Sequence, residues 1–119
     1  MFWVVVNSVN NTLSHLRQAE TRQRDLRDEI EVEVRVAMDN LRSAQEQFTA
    51  ADQSLKLAKE EMELAQLRFE AQVTTQIDVI DAQTQLAEAR TRRVDAAYTV
   101  RAGEVEYRRA VGKIINLNR

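Results

Sequence analysis

Val34, Ala37, Leu41, Ala44, Phe48, Ala51, Leu55, Ala58, Met62, Ala65 and Phe69 follow one another at alternating spacings of three and four residues, without a miss. That period leaves few folds open. Apolar residues recurring every 3.5 positions draw a continuous stripe along a helix, and a second helix must cover it. From Thr12 to Ala71 there is no glycine or proline, and Ala, Leu, Glu, Gln, Arg and Lys, all good helix formers, dominate. A helix of about 60 residues would reach roughly 90 Å, far longer than a globular element. Charges occur all along it, which excludes a membrane span. The 17 basic and 19 acidic residues are interspersed, so nothing gathers into the basic patch that nucleic acid requires.

A matching stripe lies further on. Val79, Leu86, Arg93, Val100, Tyr107 and Ile114 are seven apart, and Ala82, Ala89, Ala96, Gly103 and Ala110 follow the first five by three residues. Gly103 thus reads as one more small residue where helices approach closely, not as a hinge. The two stripes flank one break and are matched to zip together. The fold class is all-α: a long antiparallel coiled-coil hairpin with helices at about 12–71 and 76–113, forming one domain over 12–119. Two registers stay open. Knobs-into-holes packing favours large residues opposite small, whereas symmetry about Val73 and Thr74 sets like opposite like.

The break falls where no glycine or proline stands. Thr75 followed by Asp78 has the spacing of a capping box, in which each side chain satisfies an N–H left open at a helix start. Gln72 to Thr75 then form the tip, and a start signal ends the first helix. At the other extreme, MFWVVV carries aromatic and β-branched residues, and 1–11 is expected to be a short strand stub or a disordered start. It is unlike a signal peptide, since no Lys or Arg precedes the apolar run and Asn7 interrupts it.

Chemistry has little to work with. The chain has no cysteine, and its single histidine, His15, sits in a polar helical stretch. Carboxylates lie on helix faces beside Arg and Lys, without the burial that tunes a catalytic acid. Asp78 and Asp81 have no His or Cys near them to complete a metal site. No catalytic residue, cofactor or metal is expected. Arg93, the one charge in a seam row, is either a specificity device or a side chain snorkelling from the hairpin edge. A second, patchier apolar row comprises Val36, Ala50, Leu57, Leu64 and Ala71 on the first helix and Ile80, Ala87 and Val94 on the second. It reads either as a broad core-facing stripe or as a face for further helices.

Around the break the residues resemble the TolC-like outer-membrane efflux proteins. Arg68, Phe69, Thr75, Asp78, Val79, Ile80, Ala82 and Gln83 fall on that family's tip motif, and Val105 to Gly112 is similar to its helix ending. Most of 12–112 is covered. The resemblance implies the second of two periplasmic hairpins in a trimeric α-barrel duct that passes substrates across the outer membrane. Its missing β-strands would anchor the duct, and its tips, here Gln72, Val73, Thr74 and Thr75, would dock the periplasmic adaptor of an inner-membrane pump. It further implies an entrance gate at Asp78, Asp81 and Phe69, where rings of carboxylates crowd like charges. Three positions depart from the family: Gln72 replaces the tip glycine, Thr74 the tip arginine and Phe69 the gate tyrosine. With one tip motif and no room for a barrel, the chain is expected to be a fragment or a reduced relative. The alternative is a stand-alone coiled-coil adaptor module.

Overall fold

The computed structural model describes residues 1–119 as two helices, α1 (Phe2–Glu70) and α2 (Gln76–Leu117), folded back on each other. The molecule is a rod of 105 × 21 × 13 Å. Its length is that of α1 alone, since 69 residues at about 1.5 Å each span the whole of it.

The expected seam is the helix interface. Along α1, Ile30 and every seam position from Val34 to Ala65 are buried or half-buried, and the residues between them are exposed. Along α2 the seam runs unbroken from Val79 through Ile114 to Leu117. Only six residues are buried: Ile30 and five alanines, Ala37, Ala44, Ala58, Ala89 and Ala110. A pair of helices can hide no more than its contact line, and small residues at that line let the backbones come close enough to hide it completely.

Cross-helix contacts settle the register. Lys113 Nζ meets Glu33 Oε1 at 2.7 Å, Arg93 Nε meets Asp52 Oδ1 at 2.7 Å, and Gly103 lies against Leu41. Residues equally distant from Gln72 and Val73 therefore face each other. This register carries Leu41 to Gly103, Phe48 to Ala96 and Ala97, and Leu55 to Ala89, so large residues meet small ones. The alternative of like opposite like is excluded. It would have stacked the bulky rows on each other and left the alanine rows facing across a gap.

Arg93 snorkels from the edge of the seam, as one of the two readings expects. Its side chain emerges from the seam half-exposed, pairs with Asp52, and holds its guanidinium 5.3 Å from the centre of the Phe48 ring. An exposed ion pair contributes little to stability, about 0–1 kcal/mol. Its value here is positional, because the pair and the cation–π contact fit one register only.

The expected strand stub at 1–11 is not formed. Phe2 to Asn11 are the first turns of α1, with the Val5 N–H bonded to the Met1 carbonyl and the Thr12 hydroxyl to the Ser8 carbonyl. β-Propensity is a weak preference that needs a neighbouring strand to realise it. None is present, whereas a helix satisfies its own backbone. No helix is long and apolar enough to cross a membrane.

Candidate functional site: the hairpin tip

The tip is built by two opposed caps. At the end of α1, the Val73 N–H reaches the Arg68 carbonyl and the Gln72 N–H the Phe69 carbonyl, each at 2.9 Å. These bonds make a Schellman motif, which requires its penultimate residue in the left-handed region. Gln72 occupies that place with φ 60°, the only positive φ in the chain. The turn is thus a true helix stop as well as a start. The start signal is legible in the residues themselves, whereas the stop resides in backbone geometry and its usual glycine is absent.

At the beginning of α2, Thr75 and Asp78 close the capping box. Asp78 Oδ2 accepts from the Thr75 N–H at 3.1 Å and from the Thr75 hydroxyl at 3.0 Å. The Thr74 hydroxyl donates to the same oxygen. That third donor was not anticipated; the only trace of it in the sequence is a second threonine just before the cap. Asp78 also lies in the first turn of α2, where the positive end of the helix dipole favours an anion.

The cluster lowers the Asp78 pKa below the ordinary aspartate value, through the Thr74 hydroxyl first and the Thr75 N–H and hydroxyl next. A carboxyl whose pKa is lower in the folded state binds its proton more readily when unfolded. Its stabilisation is therefore full above the unfolded value, about 3.9, and is lost as pH falls through the lower folded value. Urea midpoints followed from neutral pH into acid are expected to fall more steeply for the wild type than for Asp78→Asn. Parallel curves would mean that the carboxylate does not hold the cap.

The remaining site residues are arranged around this cluster. Val73 is exposed at the apex and Asp81 is exposed on the next turn of α2, outside the hydrogen-bonded cluster. Phe69 continues the α1 seam in sequence but is 44% exposed, because the facing helix begins only at Gln76. Thr74, Thr75 and Asp78 are thus brought together, while Asp81 and Phe69 flank them as free side chains.

An unbroken two-helix coil, small residues along its seam and a capped acidic turn at one end define an antiparallel coiled-coil hairpin with a built tip. The comparison with known families agrees: residues 2–113 match the outer membrane efflux protein family, and the chain belongs to it. No curated protein and no solved structure matches the chain.

Proposed function

We propose that this chain is the tunnel-forming hairpin of a TolC-like duct in an efflux or type I secretion system, carrying substrates passively through a pore made with other copies. The family is one of outer-membrane efflux proteins. The observation that carries the reading is the second apolar row. Val36, Leu57 and Leu64 on α1 and Ile80 and Val94 on α2 all lie outside the seam and stand open to solvent. Large apolar side chains repeated along a rod are a surface for packing. A helix that presents apolar rows away from its partner needs neighbours on two sides, as in a closed wall of helices. Beside the seam a shallow groove lined by Val36, Ala37, Ala44, Ala102 and Gly103 adds to the surface that neighbours would fill.

In this reading Gln72, Val73, Thr74 and Thr75 face the periplasmic adaptor of an inner-membrane pump, and three copies ring the entrance with Asp78, Asp81 and Phe69. The two aspartates then differ in role. One oxygen of Asp78 is occupied by three donors of its own tip, whereas Asp81 has no such task and offers its carboxylate to the pore. Three or more such carboxylates form a cation-selective ring that a multivalent cation can plug. Thr74 and Phe69 supply neither a tip guanidinium nor a gate hydroxyl, so polar ties in a closed state are fewer and the acidic ring carries more of the selectivity.

The test is conductance of a pore made by grafting residues 12–112 into a complete duct protein, with and without a trivalent cation. Asp81→Asn is expected to lower both cation selectivity and block, and to do so more than Asp78→Asn. Unchanged block and selectivity in Asp81→Asn would remove it from the gate.

A further inference from the structure

Each helix carries a further heptad row on the side turned away from its partner. On α1, Leu57 and Leu64 alternate at spacings of three and four with Leu67, Glu60, Glu46 and Asp39. On α2, Ile80 and Val94 alternate in the same way with Ile77, Thr91 and Tyr98, and the row continues to Arg101 and Arg108. All of these side chains are exposed. The two edges differ in charge. Between Val36 and Ala71 the α1 edge holds Asp39, Glu46 and Glu60 and no base, whereas the α2 edge from Ile77 to Ile115 holds Arg101 and Arg108 and no acid. Charges that are interspersed along the chain are thus sorted by the fold onto opposite edges of the rod.

We propose that the two edges fit each other: the outer edge of α1 in one copy packs against the outer edge of α2 in the next, side by side and with the tips level. This rests on the duct reading and adds which surfaces of neighbouring copies meet, and in what register. A second copy is selected because the layers agree one by one. Inside the hairpin Leu41 faces Gly103. The same offset carried to the outer edges sets Leu67 against Ile77, Leu64 against Ile80 and Ala50 against Val94, apolar on apolar, and it places polar Gln53 against Thr91. The Thr91 hydroxyl donates to the Ala87 carbonyl of its own helix and keeps its lone pairs for the Gln53 amide. Farther from the tip Glu46 meets Tyr98, which is 76% exposed in a single copy, and Glu46 and Asp39 lie diagonal to Arg101 and Arg108.

Other registers lose this agreement. Sliding by one heptad sets Ala50 against Arg101 and Leu67 against Thr84 in one direction, and Glu60 against Ile77 in the other. The charged groups are available for the contact. Asp39 and Arg108 have no ion-pair partner within the chain. Glu46 meets Arg42 at 3.5 Å and Arg101 meets Glu104 at 3.1 Å on their own helices, exposed pairs of the kind that contribute little and exchange partners readily. A contact between unlike edges is heterologous: each copy keeps one edge free for the next, and the series ends only when a ring closes.

The chain has no native cysteine, so disulfide capture between two singly substituted chains reads the pairing directly. Leu57→Cys chains mixed with Ala87→Cys chains are expected to give a linked pair on mild oxidation, and neither variant alone nor Leu57→Cys mixed with Val94→Cys, one heptad out of register, is expected to do so. Adding Arg101→Glu and Arg108→Glu to the Ala87→Cys chain is expected to abolish the link, with helical circular dichroism unchanged because both arginines are exposed. Adding Asp39→Arg and Glu46→Arg to the Leu57→Cys partner is expected to restore it. A mixed pair that does not link, equal linking by either variant alone, or a link that survives the charge reversal would each overturn the proposal. The grafted pore separates this from the duct reading: conductance without the link overturns the edge pairing alone, and the link without conductance supports the pairing while overturning the duct.

Discussion

Gly103→Leu is expected to destabilise the hairpin by about 1–3 kcal/mol, whereas Gly103→Ala is expected to stabilise it by up to about 1 kcal/mol. A Cβ placed on Gly103 would lie 3.4 Å from both the Leu41 Cα and its Cδ1, the near edge of ordinary contact. Alanine therefore fits, and it removes the entropic cost of glycine inside a helix. The additional carbons of leucine would run into Leu41, whose Cα belongs to the facing backbone and cannot rotate away. Separating the helices there would loosen neighbouring layers of the seam. Gly112 supplies the control, since a Cβ on it meets nothing within 4 Å. Gly112→Ala and Gly112→Leu are both expected to stabilise through helix propensity alone. Urea midpoints of the four variants separate packing from propensity, and equal effects of leucine at 103 and 112 would show that the helices are not in close contact at Gly103.

Those two glycines also indicate what a sequence of this kind makes legible. A heptad stripe is a property of one helix, so the seam from Val34 to Ala65, its counterpart from Val79 to Ile114 and the hairpin itself could be read directly. Register is a property of two helices, and both stripes carry the same alternation of large and small, so pairings displaced by about half a heptad look equally regular. Shape decided between them: bulky residues fit against alanine and glycine, and the Glu33–Lys113 and Asp52–Arg93 pairs close in that arrangement. The first turns of α1 were misread for a related reason. Phe2 to Val6 have the composition of a strand, yet a strand needs a partner that cannot be seen in a local stretch, while the in-phase spacing of Phe2, Val6, Val9 and Leu13 was the stronger and non-local signal. At the tip, the Thr75–Asp78 box was legible because it is a spacing between residue types. The Schellman stop is made by main-chain atoms of Arg68, Phe69, Gln72 and Val73, so only the family's glycine at position 72 hinted at it.

That position carries the remaining large effect. Gln72→Gly is expected to stabilise the hairpin by up to about 1 kcal/mol. With φ at 60°, the glutamine Cβ is crowded by neighbouring backbone in a conformation that costs an ordinary residue about 1–2 kcal/mol and glycine almost nothing. Part of that gain is offset because a glycine chain has more freedom to lose on folding. The side chain of Gln72 is exposed, so its removal leaves no cavity. Gln72→Val tests the same cause in reverse: a β-branched residue is a genuine outlier at positive φ, and its urea midpoint is expected to fall below that of the wild type. Were Gln72→Gly to lower the midpoint, the strain would not be where the backbone places it, and the Schellman bonds from Gln72 and Val73 would not be what ends α1. If the midpoint rises, the tip retains the backbone that a glycine would adopt, and docking against an adaptor, as proposed for Gln72 to Thr75, is expected to strengthen where the smaller residue permits closer approach.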